Sequence, residues 1–353
     1  MTDINKQDAQ NNVALYTKYR PTKFSEVAGQ GTIVTALEAA IKTGTPAHAY
    51  IFSGTRGVGK TTIARLFARA LGVSSKDTYE LDAASNNSVD DIRDLRESVA
   101  TLPFDGDYKV YILDEAHMLS KSAFNALLKT LEEPPAYCIF ILATTEPGKL
   151  PDTIQSRSQV YTFKSPSRVE LAKVIVGIAE KEGYKLGDGA DDLIAALANG
   201  SFRDGISALQ KVLTSAKGKT ILIDEVESIT GAPQGALLND VLSGIANNKA
   251  DQALEAVSGL VVAGADIKLS LELLLERARA VLLLRHGGAA AASLLEQQFS
   301  KDDLVELSVL ANESDSALKS NVLVALLQAQ SQMRTASIKH LPLELAIIEL
   351  SAE

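Results

Sequence analysis

The octapeptide GTRGVGKT at residues 54–61 constrains this chain more than any other stretch. It fits G-x-x-x-x-G-K-[ST], the pattern of a phosphate-binding loop, which requires a buried strand before it and a helix after it. Residues 48–53, HAYIFS, read as a short buried strand. Residues 62–71, TIARLFARAL, read as a helix with apolar Ile63, Leu66, Phe67, Ala70 and Leu71. Gly54, Gly57 and Gly59 let backbone amides curl around an oxyanion without Cβ clashes. The helix N-terminus adds partial positive charge. Lys60 is placed to reach the outer phosphates and the Thr61 hydroxyl to hold Mg²⁺. Thr55, Val58 and Thr62 complete the loop and its first helical turn. The expected ligands are a nucleotide and Mg²⁺.

A chain of 353 residues has room for two or three domains. No run of about 18 apolar residues is present, so no transmembrane helix is expected. Residues 1–12 are polar, which argues against a signal peptide and for a disordered lead-in. Cys138 is the single cysteine. It allows no internal disulfide and no multi-cysteine zinc site, fits a reducing cytoplasm, and reads as a buried strand residue. The net charge is −9, so any nucleic-acid contact has to come from a local basic surface.

A basic, aromatic segment at 16–24 precedes a helix at 33–41, and beside a phosphate loop such a segment is expected to lie over the nucleotide base. A second strand is expected at 79–83 and an amphipathic helix at 89–100, with helix-start signals over 85–88. Residues 108–115, YKVYILDE, read as a strand ending in two carboxylates. In a phosphate-loop ATPase, Asp114 would hold the Mg²⁺ shell and Glu115 would orient or deprotonate the attacking water. Ser120 caps a helix reaching 132, and Pro134 and Pro135 end it. A buried strand at 137–143 ends in Thr144 and Thr145, polar residues beside the acidic pair's strand. Ser156 and Arg157 precede a strand at 159–163. Strands alternating with helices predict an α/β domain, a parallel sheet with helices on both faces. From residue 165 the strands stop. Helices are expected at 168–182, 190–198, 203–216 and 224–230. After a boundary at 231–233, they are expected at 235–246, 249–263, 267–286, 301–312, 316–336 and 342–350. The apolar stretches 271–284 and 321–327 read as bundle core, with a subunit-assembly surface as the alternative.

The motifs HAYIFSGTRGVGKT, LDEAHML, FNALLKTLEEPP, LATT and Ser156-Arg157 together resemble the gamma/tau subunit family of the bacterial DNA polymerase III clamp loader. The likeness is close over 16–164 and weaker beyond, mainly at GSFRDGISAL, residues 200–209. It implies an AAA+ fold: a nucleotide-binding domain at 1–165, a small helical lid at 166–231 and an all-α collar at 232–353. It implies an ATPase that opens a sliding clamp and places it on primer–template DNA, with delta- and delta-prime-type subunits and further gamma copies as partners. By position, Lys60 and Thr61 contact phosphate and Mg²⁺, and Asp114 and Glu115 form the Walker B pair. Thr145 matches the sensor-1 position, Arg203 the sensor-2 arginine, and Arg157 the arginine finger. Tyr16, Arg20 and Pro21 match the segment beside adenine. Arg93, Lys129 and Lys149 fall where the family grips template-strand phosphates.

Three departures stand out. The usual four-cysteine zinc module is missing, because residues 72–78 contain no cysteine. Asn86 and Asn87 stand where basic residues are common, and Ser158 replaces a cysteine after the finger. The chain stops at Glu353 without the tau extension, so it is gamma-like or a truncated tau. The competing readings are a non-hydrolysing delta-prime-type subunit, for which the phosphate loop is too intact, and another AAA+ machine on DNA, such as a branch-migration helicase or an archaeal-type small subunit.

Overall fold

The computed structural model describes residues 13–313 and 316–352. The expected lead-in at 1–12 lies outside them. The chain divides into two compact units. One runs to Pro166 and includes Gly200–Asp204, and the other comprises Ser167–Asn199 and Gly205–Glu353.

The first unit is built on five parallel strands: β1 Ala49–Ser53, β2 Thr78–Asp82, β3 Lys109–Asp114, β4 Cys138–Thr144 and β5 Gln159–Thr162, in the order β2-β3-β4-β1-β5. The three central strands are almost continuously buried, as parallel strands covered on both faces must be. The edge strands β2 and β5 carry exposed polar positions.

Alternation along the central strands feeds two separate cores. Ile51, Leu113, Phe140 and Leu142 pack with Ile92 and Leu95 of helix Val89–Val99 and Leu127 and Leu131 of helix Lys121–Glu132. Tyr50, Phe52, Ile112 and Ile141 pack on the other face with Leu37 of helix Gly31–Thr43 and Ile63 and Phe67 of helix Lys60–Ala70. The result is the expected sheet covered by helices on both sides. Register aligns the carboxyl ends of the central strands: Ser53 pairs with Thr144, and Leu113 with Leu142. Loops leaving β1, β3 and β4 therefore meet along one edge.

The second unit is mostly helical. The expectation that strands end at residue 165 is corrected by a two-stranded parallel pairing of Lys185–Leu186 with Thr220–Ile221. Each strand has two residues, too few for a period-two pattern. A helix at Gly288–Leu295 was not anticipated, because adjacent glycines open it although alanines fill it. The helix expected at 316–336 is shorter, Ser320–Gln332. Helix Ile267–His286 buries Leu271, Leu274, Ala278 and Val281 in one large cluster, joined by Val322 and Leu326. Those stretches do supply core, although Val324 and Leu327 on the later helix face outward.

Within this unit Arg168 is a hub. Its guanidinium donates to the Asp192 carboxylate, to the Asp192 carbonyl at 3.1 Å and to the Gln298 carbonyl at 3.3 Å, and it lies 3.7 Å from Asp303. Arg277 donates to the same Asp303 carboxylate at 2.6 Å.

Candidate functional site: the loops at the carboxyl edge

The phosphate loop leaves β1 through glycines whose backbone excludes other residues. Gly57 has φ 77°, and a Cβ there would stand 1.9 Å from Ser201 Oγ. Gly54 has φ 152° and lies against Phe163, leaving no room for a side chain. Gly59, at φ 102°, is the N-cap of helix Lys60–Ala70. Val58 turns inward and is buried in the adjacent core. The loop's far side is held by the Phe202 amide donating to the Gly57 carbonyl at 3.0 Å and by the Thr55 and Ser165 hydroxyls at 3.0 Å.

Lys60 is 5% exposed, unusual for a lysine. Its Nζ donates to the carbonyls of Gly54 (2.7 Å) and Thr55 (2.9 Å), which holds the ammonium inside the loop. Burial pushes its pKa down, and the negative charges of Glu115 and Asp114 work against that shift. A buried cation among backbone carbonyls, with two carboxylates nearby, suits an anionic ligand.

Thr61 Oγ1 donates to Asp114 Oδ2 at 2.7 Å. This joins the first turn of the helix to the end of β3 and places a hydroxyl beside a carboxylate, oxygen donors of the kind Mg²⁺ prefers. Glu115 follows with φ 48°, a left-handed conformation rare outside glycine, and its amide donates to Asp114 Oδ1 at 3.0 Å. Thr145 Oγ1 donates to Glu115 Oε2 at 3.3 Å. Thr61, Asp114, Glu115 and Thr145 are thus joined by hydrogen bonds, and Lys60 precedes Thr61 in the loop. The glycine cradle, the helix N-terminus and the oxygen pair fit ATP with Mg²⁺.

Tyr16 and Arg203, 187 positions apart, also meet: the guanidinium lies 5.4 Å from the ring centre. Arg20 and Pro21 follow the short helix Leu15–Lys18 that carries Tyr16, and both are half-buried. Thr62 is half-buried in the first turn of the helix. Arg157 sits apart, nearly half exposed; Nη1 donates to the Thr153 carbonyl at 2.9 Å and Nη2 lies 3.8 Å from Glu132.

The basic positions differ among themselves. Arg93 pairs with Asp90 at 2.8 Å, Lys149 pairs with Glu146 at 2.9 Å, and Lys129 is exposed. The helix start at Ser88 is closed by its own capping box with Asp91, and Asp90 adds a second carboxylate. The amides of Ser88 and Asp91 are therefore already engaged, in a locally negative setting.

Several contributors carried no readable signal. Gln30, 3% exposed, donates to the Lys164 carbonyl at 2.7 Å and accepts from the Lys164 amide at 3.3 Å, holding the N-terminal segment against the end of β5. Ser201 fills the space beside Gly57. His117 stands within the motif LDEAHML, 3.5 Å by Nδ1 from Glu115 of the same motif, but its other contacts come from distant residues: Nδ1 is 3.0 Å from Thr144 Oγ1 and Nε2 is 3.5 Å from Glu146.

This arrangement can be set beside known proteins. The model of the family described as "DNA polymerase III, delta subunit" matches residues 73–167. The DNA polymerase III subunit tau of Bacillus subtilis is 36% identical over 338 residues, 87% of this chain and 60% of the relative. This chain is a relative of the DNA polymerase III gamma/tau subunits. The gamma/tau subunit of Mycoplasma pneumoniae is 43% identical over 233 residues, covering 60% of this chain and 34% of that protein. Escherichia coli tau is 38% identical over 273 residues, 71% of this chain and 40% of that protein. The chain therefore spans 60% or less of these relatives' lengths. Among solved structures, the Thermotoga maritima RuvB Holliday junction branch migration motor superposes with a TM-score of 0.52 at 22% identity. That match covers 83% of this chain and 90% of the other, and shows a shared fold, a parallel α/β sheet domain with a helical region.

Proposed function

We propose that this chain is an ATP-hydrolysing motor subunit of a replicative clamp loader, opening a sliding clamp and placing it on primer–template DNA. The observation that carries the reading is the set Lys60, Thr61, Asp114, Glu115 and Thr145, intact at the carboxyl edge of the sheet in a relative of the gamma/tau subunits. A non-hydrolysing subunit has no need of all five.

Phosphoryl transfer depends on positioning and on charge near the γ-oxygens. The loop amides and Lys60 hold the phosphates. Thr61 and Asp114 would hold Mg²⁺, which would supply positive charge to offset that of the phosphates. Glu115 orients the attacking water and accepts its proton, and Thr145 steadies Glu115. Tyr16, Arg20 and Pro21 line the adenine side, and Arg203 acts beside Tyr16 on the nucleotide. The exposure of Arg157 suits a finger offered to the γ-phosphate of a neighbouring subunit, which makes hydrolysis depend on assembly.

In this reading residues 166–231 form the lid and 232–353 the collar. Arg93, Lys129 and Lys149 contact DNA phosphates without reading sequence. The partners are delta- and delta-prime-type subunits and further gamma copies, in the cytoplasm.

The test is steady-state ATP hydrolysis by the reconstituted loader, with and without clamp and primed DNA, using Lys60→Ala and Arg157→Ala. Stimulation by clamp plus primed DNA, lost in Arg157→Ala while ATP still binds, is the expected result. Turnover indifferent to clamp and DNA rejects clamp loading, and activity unchanged by Lys60→Ala rejects the motor role.

A further inference from the structure

Three side chains beside the nucleotide site, Thr144, His117 and Glu146, have no part in the scheme above. Thr144, fully buried at the end of β4, is their junction. Its hydroxyl accepts from the Glu146 amide at 3.0 Å and lies 3.0 Å from His117 Nδ1. The His117 side chain is only 7% exposed and stands between two carboxylates, with Nδ1 3.5 Å from Glu115 Oε2 and Nε2 3.5 Å from Glu146 Oε1. Glu146 in turn accepts from Lys149 at 2.9 Å, and Lys149 is 59% exposed. A chain of polar contacts thus runs from a surface cation, Lys149, through Glu146 and His117 to Glu115, the residue after β3.

The two ends of this chain differ physically. The Lys149–Glu146 pair is solvated and weak, so a polyanion competes for Lys149 easily. The imidazole is buried, where charge interactions are screened less. The Lys149 hydrogen bond holds Glu146 below the ordinary carboxylate pKa; burial opposes it, and the charges of Lys149 and His117 add to it to a lesser degree. Glu146 is therefore ionised at neutral pH and needs a cationic or donor partner.

We propose that His117 is a positioning residue that couples the Glu146–Lys149 pair to Glu115, so that a phosphate-rich polyanion engaging Lys149 changes how Glu115 is held. With Lys149 drawn away, Glu146 takes the His117 ring as its remaining partner. The ring moves off Glu115, which is left to Thr145 and the attacking water. This rests on the reading of Glu115 as the water-activating carboxylate and of Lys149 as a phosphate contact.

The experiment measures ATP turnover by the chain assembled with delta- and delta-prime-type subunits, with and without a primer–template duplex. It compares wild type, Lys149→Ala, Glu146→Gln and the Lys149→Ala/Glu146→Gln double variant, each with and without His117→Gln. Lys149→Ala frees Glu146 without DNA, so DNA-free kcat is expected to rise by about fivefold, the scale of one weak ion pair, with KM for ATP little changed. Adding Glu146→Gln to Lys149→Ala returns kcat to the low level. His117→Gln makes kcat respond to neither change.

A DNA-free kcat unaltered by Lys149→Ala, or raised equally in the double variant, overturns the proposal. A merely structural role for His117 lowers turnover in every background without this pattern, and that result also overturns it. If wild-type turnover ignores DNA, clamp loading fails, yet the DNA-free comparison still decides the coupling. No wild-type turnover at all removes both.

Discussion

Thr61 and Asp114, 53 positions apart, are joined by a 2.7 Å hydrogen bond from the threonine hydroxyl to the carboxylate. The helix after the phosphate loop and the end of β3 are thereby held at a spacing suited to one small cation. Asp114→Asn is expected to raise the Mg²⁺ concentration for half-maximal ATP turnover by about 10- to 100-fold, and Thr61→Ala to act in the same direction. A Mg²⁺ titration of turnover at saturating ATP checks both.

Gly57 and Gly59 both have positive φ, but only one lacks space. A Cβ on Gly57 meets Ser201 Oγ at 1.9 Å, whereas one on Gly59 has nothing within 4 Å. Both alanine substitutions bring left-handed strain of about 1–2 kcal/mol; Gly57→Ala also displaces Ser201. Urea denaturation should show the larger stability loss for Gly57→Ala. Equal losses would mean that the Ser201 contact contributes nothing.

Asp77 is fully buried in the turn before β2. Its carboxylate accepts from the amides of Phe104 (2.7 Å) and Asp105 (2.9 Å) and from the Ser74 hydroxyl (3.0 Å). Burial alone raises its pKa, but these donors, with the nearby Lys109 ammonium, outweigh it and hold the pKa below 3.8. A depressed carboxylate stabilises the fold above its unfolded pKa, and that contribution is lost as pH falls through the folded value. Asp77→Asn should therefore lower Tm at neutral pH. The gap from wild type should close as pH drops below about 3.8. Thermal melts from pH 7 to pH 2 test the sign.

Cys138 is 1% exposed, and burial pushes its thiol pKa up to about 11, with Lys109 acting weakly the other way. Little thiolate forms at pH 8. The native chain should resist alkylation by iodoacetamide, and the urea-unfolded chain should react at the rate of a free thiol. Rapid native labelling would place Cys138 outside the core.

Arg168 neutralises Asp192 and Asp303, both largely buried. Arg168→Ala leaves those carboxylates facing each other with less positive charge. A stability loss of about 3 kcal/mol is expected by urea denaturation. Arg168→Lys should recover part of it, because lysine restores charge but not the forked hydrogen bonds.

The sequence alone determined where the phosphate loop lies, because Gly54, Gly57, Gly59, Lys60 and Thr61 are adjacent and their roles are local. It also determined the sheet's layering, since buried parallel strands appear as apolar runs such as CIFILAT. Helix limits followed from side-chain caps at Ser88 and Ser120 and from the left-handed Gly44. Only the tertiary structure decided the meetings of distant residues: Tyr16 with Arg203, Gly57 with Ser201, and Thr144 with His117 between Glu115 and Glu146. Such contacts leave no periodic or adjacent trace along the chain. They come from strand order and register, which bring the carboxyl ends of β1, β3 and β4 level, and no single segment encodes that alignment.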